Sequence, residues 1–283
     1  MTLQILSDLH LESPKGYDVF EIEPRAPYLA LLGDIGTVGP HKAELLAFLT
    51  AQLRQFRAVL FVPGNHEAYH ASWADALDIL RDFEQLVRAD ASLGDFVLLD
   101  RAVFRPDAAG GSVVVLGCSL FSAVPAGSAD VVGYRLNDFY HTGGGWDVAS
   151  HNEAHARDLQ WLNAQVAALE NGPTVESIMV LTHWSPTRDP RAADPRHAGS
   201  DITSAFATDL SGEDCFQSAK VKVWAFGHTH WNCDFTAERN GACPLRLVTN
   251  QRGYYFSQAQ GFDANKTINT SSSGGPESSG RVA

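Results

Sequence analysis

Four cysteines in 283 residues, Cys118, Cys215, Cys233 and Cys243, with no C-x-x-C pair among them, exclude a zinc ribbon and a dense disulfide framework. Reduced, mostly buried thiols are the expectation. Basic side chains are in deficit: 21 Lys and Arg against 33 Asp and Glu leave a formal charge of -12. Such a field repels phosphodiester backbones and anionic membrane surfaces, so neither nucleic acid nor membrane is expected as a partner. A small anionic substrate is compatible only with a site whose local cations, side chains or metals, reverse the sign of that field. No run of eighteen apolar residues occurs, and the opening MTLQILSDLH carries no basic stretch ahead of a long apolar core. Neither a membrane span nor a secretory signal is therefore expected, and the location that follows is cytoplasmic. Two N-x-S/T triplets, beginning at Asn265 and Asn269, are then read as compositional.

What is present is an ordinary globular balance, 45% hydrophobic and 19% charged, enough to bury a core in one domain over residues 1–256. After residue 256 the composition turns to Gly, Ser, Asn and Thr, and residues 257–283 read as a flexible Ser/Gly-rich tail. Apolar runs at Leu3 to Ser7, Tyr28 to Leu32, Ala58 to Val62, Phe96 to Leu99 and Val113 to Gly117 read as buried strands. Later strands are expected at Ile178 to Leu181, Val221 to Phe226 and Leu245 to Val248. Helical spacing runs from Lys42 to Phe56, and from Ser72, with Asp75 completing a capping box, through Trp73, Ala76, Leu77, Leu80, Phe83, Leu86 and Val87. Ser150 and Glu153 predict a third helix start, running to about Leu169. Between them, Ser122 to Trp146 and Ser185 to Ser218 read as long irregular loops, a length that is often functional. The pattern implies a parallel or mixed sheet covered by helices.

Nearly every expected strand ends in residues that bind metals. The ends read Asp8-Leu9-His10, Gly33-Asp34, Gly64-Asn65-His66-Glu67, Thr182-His183 and Gly227-His228-Thr229-His230. In an α/β sheet the carboxyl ends of strands lie along one edge, so groups more than two hundred residues apart can converge there. A lone Asp after a strand is commonly a cap and a lone His-x-His commonly a surface feature. Five such motifs, each at a strand end, make a set that turns and caps do not explain.

In this order the motifs resemble the signature of the calcineurin-like metallophosphoesterases. The resemblance implies an α/β fold, a four-layer α-β-β-α sandwich of two mixed sheets flanked by helices. It also implies two divalent metal ions, one held by Asp8, His10, Asp34 and His230, the other by Asp34, Asn65, His183 and His228, with Asp34 shared. His66 matches the family's catalytic histidine, which stabilises charge on the phosphoryl oxygens or protonates the leaving group. Two cations about 3.5–4 Å apart polarise a phosphoryl group and lower the pKa of a bridging water, whose hydroxide attacks in line. The catalytic set is thus Asp34, Asn65 and His66. The mixed N and O donors suit Mn, Fe, Zn, Co or Ni, with Mn the first choice for assay. Gly33, Gly64 and Gly227 are expected to permit sharp turns, and Glu67 to support its loop.

The serine/threonine protein phosphatases of this superfamily carry an Arg soon after G-D and another just before G-N-H-E; Gly33 to Gly39 and Pro63-Gly64-Asn65 have neither, so that branch is disfavoured. Asn250-Gln251-Arg252-Gly253-Tyr254 is similar to an Asn-x-Arg-Gly-Tyr stretch of soluble intracellular members. Candidate substrate contacts are Arg135 and His141, in the loop from Ser122 to Trp146, and Arg252, the last read as orienting the ligands or meeting an anionic substrate and equally as a solvated turn arginine. The expected function is hydrolysis of a small phosphomonoester or phosphodiester. Two alternatives stand beside it: the same metals acting on a specialised metabolite, and a non-catalytic scaffold. Oligomeric state is not readable.

Overall fold

Short apolar runs become strands here because parallel strands buried on both faces need side chains that fill space in both directions. In the computed structural model, which describes residues 1–106, 111–172, 174–239, 241 and 243–270, the first half runs β1 (Thr2–Leu6), β2 (Tyr28–Leu32), α1 (Lys42–Leu53), β3 (Ala58–Val62), α2 (Trp73–Arg88), β4 (Asp95–Leu98), β5 (Ala102–Phe104) and β6 (Val113–Gly117). The second half runs α3 (Ala129–Arg135), α4 (Asp138–His141), α5 (Val148–Glu170), β7 (Ser177–Leu181), α6 (Asp214–Gln217), β8 (Val221–Phe226), β9 (Asp234–Ala237), β10 (Leu245–Thr249), β11 (Gly253–Tyr254), β12 (Ser257–Gln258) and β13 (Thr267–Asn269).

One sheet has the order β13-β1-β2-β3-β4 and the other β5-β6-β7-β8-β10-β9. Both are mixed: β1 to β4 are parallel with β13 antiparallel at the edge, and β6, β7, β8 and β10 are parallel between antiparallel β5 and β9. Alternation along each strand sorts side chains between layers. Leu3, Ile5, Leu32, Leu60 and Val62 meet Val115, Met179, Leu181, Val223 and Ala225 between the sheets. Leu29, Leu31, Val59 and Phe61 face α1 and α2, while Leu116, Val180, Trp224 and Leu247 face α5 and α6. The result is the expected four-layer sandwich, α-β-β-α.

Several local expectations change. Leu86, placed on the buried face of α2, is 69% exposed; the stripe narrows to Ala76, Leu80, Phe83 and Val87. The Ser72 and Asp75 capping box forms, but α5 begins three residues early, on Asp147, whose carboxylate accepts from the Ser150 N–H at 2.8 Å. The stretch from Ser122 to Trp146 contains α3 and α4 instead of irregular chain alone. The tail boundary at 257 also moves, since β12 pairs with β11 and β13 with β1. Thr2, Leu3 and Gln4 lie opposite Asn269, Ile268 and Thr267, and Ile268 is buried. The remainder of that tail, 271–283, lies outside the described residues. The cysteines are free, with Cys118 and Cys215 buried, Cys233 half-buried and Cys243 exposed. No helix among the described residues is long and apolar enough to cross a membrane.

Burial at the head of α5 predicts acid sensitivity. His151 is fully buried among Phe121, Trp184 and Phe139, and its Nε2 accepts from the Ser122 N–H at 3.1 Å. Burial, reinforced by the neighbouring His155, pushes it down to about 3. Between about pH 6.5 and 3 the unfolded chain therefore binds a proton that the folded one refuses, and stability falls by up to about 1.4 kcal/mol per pH unit on acidification. His151→Gln keeps an acceptor for Ser122 and never charges, so denaturant titrations from pH 6 to 4 should give a visibly flatter loss. An unchanged slope would show that other groups set it.

Candidate metal centre

The strand ends β1, β2, β3, β7 and β8 deliver their loops to one edge, and the chain turns there in unusual conformations. Asp8, His10, Asp34, His228 and His230 all have positive φ, 53°, 46°, 54°, 69° and 50°. Each such non-glycine residue costs about 1–3 kcal/mol and persists only where surrounding structure fixes it. Here the fixing bonds are visible. Glu67, fully buried, accepts backbone N–H bonds from Asp34 (2.9 Å), Ile35 (2.8 Å), Gly36 (3.3 Å) and Gly64 (2.6 Å), clamping the second motif to the third. The Asp8 carboxylate accepts from the His228 N–H at 3.1 Å and from Ser7 Oγ at 2.5 Å. Gln251 Oε1 accepts from the His230 N–H at 2.6 Å. Gly64 is needed for approach: a Cβ there would lie 2.3 Å from Asp34 Oδ1 and 2.8 Å from His183 Nε2, both rigidly held.

Three groups of donors converge, each within 4.8 Å: Asp8, His10 and His230; Asp34, His183 and His228; and His10, Glu12 and His66. His10 Nε2 and His230 Nε2 are 3.0 Å apart, and His230 Nε2 is 3.3 Å from Asp8 Oδ1. Asp34 Oδ1 lies 3.4 Å from His183 Nε2, and Asp34 Oδ2 lies 4.0 Å from His10 Nε2, so its two oxygens face the two sets. Asn65 Oδ1 sits 3.1 Å from His183 Nε2. Its amide is oriented from behind, since Asn65 Nδ2 donates to Asp138 Oδ1 at 2.9 Å, and Tyr69 O–H donates to the same oxygen at 2.5 Å. His183 Nδ1 bonds the Leu32 carbonyl at 2.7 Å, leaving Nε2 for the centre.

The residues fit a divalent metal. His228 Nε2 is buried without a hydrogen-bond partner, and the carboxylates of Asp8 and Asp34 are buried with no Lys or Arg bonded to them among the described residues. A buried lone pair, and buried carboxylates faced by imidazoles that can each give up a proton, make a donor set suited to a cation. Electrostatics agree. Burial opposes ionisation of Asp34, yet His183 and His66 hold its carboxyl well below the usual range. Burial opposes charge on His183 too, but Asp34 and Asp8 lift it to about 9. His66 behaves alike: burial is outweighed by Asp34 and Glu12, and it rises to about 9.

A sequence model of the calcineurin-like phosphoesterase family matches residues 1–232. The chain belongs to that family. It is accordingly a metal-dependent phosphoester hydrolase with His and Asp groups placed to bind metal. Among solved structures, this phosphoesterase is similar to a phosphopantetheinyl hydrolase from Mycobacterium tuberculosis, at 18% identity and a TM-score of 0.59, with 89% of each chain covered. That likeness speaks for the fold. No curated protein matches the chain.

Beside the metal groups, a cavity of about 720 Å³ runs between the α3–α4 segment and the loop 187–207. Of the three candidate substrate contacts, Arg135 lines it and pairs with Asp201. His141 is exposed behind Tyr69, with ring centroids 5.2 Å apart, and does not line it. Arg252 turns away: its Nη1 donates to the Leu9 carbonyl at 3.0 Å and its guanidinium covers the Phe20 ring. It braces the loop that carries Asp8 and His10. The sequence reading missed Glu12, whose Oε1 lies 2.8 Å from His66 Nδ1 and 3.3 Å from His10 Nδ1. Its only signal was its place two residues after His10 in D-x-H-x-E. Arg188, at the cavity wall, was missed for lack of any motif.

Proposed function

We propose that this phosphoesterase is dinuclear and acts on small phosphomonoesters or phosphodiesters. Asp8, His10, Asp34 and His230 would hold one ion and Asp34, Asn65, His183 and His228 the other. The observation that carries this reading is the convergence of two donor groups, buried but for the half-buried His230, on opposite oxygens of one carboxylate, Asp34. When bound, two divalent ions polarise a phosphoryl group and lower the pKa of water toward neutrality. The chain's own residues do the rest. Asn65 presents a neutral oxygen while its Nδ2 donates to Asp138, and His66 points Nε2 toward the centre, 3.9 Å from Asp34 Oδ2, with Nδ1 fixed on Glu12. That imidazole is placed to donate a proton to the leaving oxygen.

The cavity favours a substrate with a sizeable organic group, because about 720 Å³ far exceeds what a phosphate alone requires. Leu136, Ile202 and Phe206 give it apolar walls. Action of the same metal site on a specialised metabolite is thus the second reading. Since the solved relative is named for phosphopantetheinyl hydrolysis, phosphopantetheinyl esters belong in the substrate panel.

Elemental analysis of the purified protein should find about two divalent ions per chain after Mn²⁺ reconstitution, and turnover of p-nitrophenyl phosphate or bis-p-nitrophenyl phosphate should require them. The ratio of those two rates reports monoester against diester preference. Two metals with no turnover would transfer the assignment to the specialised substrate; failure to take up metal would return the scaffold.

A further inference from the structure

The Asn250 to Tyr254 stretch supplies no donor to the three metal groups, yet it is fastened to them. Asn250 Nδ2 donates to the Ile5 carbonyl at 2.6 Å, the Arg252 and Gly253 N–H groups donate to the Ser7 and Asp8 carbonyls at 3.0 Å, and Arg252 closes on Leu9. Gly253, at φ +76°, makes the turn that begins the β11–β12 hairpin. The same anchoring also places the Tyr254 side chain. The Tyr254 ring stacks on His10 with centroids 4.2 Å apart at 28°, lies T-shaped to His230 with centroids 5.0 Å apart, and lines the cavity. Its hydroxyl lies 3.3 Å from His66 Nε2 and has no other partner among the described residues.

A transferring phosphoryl group spreads negative charge over its non-bridging oxygens, and catalysis is largely the positioning of donors against them. The two arginines that would do this are missing from Gly33 to Gly39 and from Pro63-Gly64-Asn65. Several other nearby donors are engaged, and Arg188, at the cavity wall, donates its Nε to the Ala207 carbonyl at 3.1 Å. Asn65 Nδ2 and the Tyr69 hydroxyl are bonded to Asp138, Arg135 to Asp201, and Arg252 to Leu9. When the His66 Nε2–H turns to a leaving oxygen, the phenol O–H remains able to donate to a phosphoryl oxygen.

We propose that Tyr254 is a catalytic residue whose hydroxyl donates a hydrogen bond to a non-bridging phosphoryl oxygen, a role for which this chain has no arginine at 33–39 or 63–65. The proposal rests on the phosphoesterase reading of the site. Tyr254→Phe keeps the ring on His10 and removes only the donor. Expected are unchanged metal content by elemental analysis, a kcat lowered about 10- to 100-fold with p-nitrophenyl substrates, and weaker binding of inorganic phosphate by calorimetry. The loss should be equal for aryl esters whose leaving groups differ in acidity, since the contact is not with the leaving oxygen. Tyr255→Phe, one residue along, should match the parent in all three measurements.

A Tyr254→Phe protein with kcat within three-fold of the parent and unaltered phosphate affinity overturns the proposal. So does loss of metal in that variant, which would make the hydroxyl a support for His10, and so does a loss that steepens with poorer leaving groups. A parent that binds metal but hydrolyses none of these esters would instead fail the functional reading, and the phosphate titration would still decide whether the hydroxyl meets the anion.

Discussion

Asp34→Asn should give a folded protein that retains little metal and turns over phosphoesters about a thousand-fold more slowly, the equivalent of about 4 kcal/mol of transition-state stabilisation. Shape is nearly conserved by the change. Asn keeps an oxygen for the His66 N–H, which Asp34 Oδ1 now accepts at 2.9 Å, and the Glu67 clamp on the Asp34 N–H is untouched. What disappears is the charge facing both donor groups. His183 and His66 each owe their elevation to about 9 chiefly to Asp34, acting against burial. In the parent, metal uptake must displace the His183 proton, so uptake should strengthen as pH rises from 7 toward about 9. That places the proton competition higher than the range near pH 6 expected of unperturbed histidines. In the Asp34→Asn protein His183 gives up its proton at lower pH, so uptake, though weaker, should depend less on pH between 7 and 9. Metal titrations at both values check this, and a variant that keeps the parent's metal and stays within ten-fold of its rate would remove Asp34 from the shared position.

The residues that converge here were legible because their motifs sit directly after short apolar runs, and a strand's end is fixed once its pairing is. Residues whose partners lie across loops were not legible. Glu12 bonds His66 only because the chain after β1 folds back over the turn after β3. Asp138, within a stretch read as irregular, reaches Asn65 across 73 residues because α4 begins at that point. Arg252, read as orienting ligands or meeting an anion, takes a place decided by the Leu9 carbonyl, which no periodicity announces. β13 escaped for another reason. A composition argument asks whether a segment buries enough of its own surface, whereas an edge strand needs one apolar side chain, Ile268, and a partner already in place. Gln4 shows how thoroughly that edge is tied: fully buried, it donates to the carbonyls of Glu23 and Ala264 and accepts from the Arg25 N–H.

His66→Ala should retain metal and lose about 10²- to 10⁴-fold in kcat, with the loss growing as the leaving group becomes more basic, because a positioned acid matters most where the departing oxygen needs its proton. Glu12 is the residue that prepares it. At 2.8 Å from Nδ1 it fixes the ring so that Nε2 faces the centre, and despite burial its bonds to His10 and His66 hold its own carboxyl at about 2. Bound cations would offset the charge of Asp34, leaving Glu12 the principal anion that keeps His66 protonated. Glu12→Gln preserves the size and an acceptor while removing that charge. The His66 pKa must then fall, so the alkaline limb of the kcat profile should move to lower pH, and the rate near neutrality should drop about 10- to 100-fold. Rates from pH 6 to 10 with matched metal content test the pair. A limb that stays in place in Glu12→Gln, or a His66→Ala loss that is the same for good and poor leaving groups, would take the acid role from His66 and leave it as a binder of the phosphoryl oxygens.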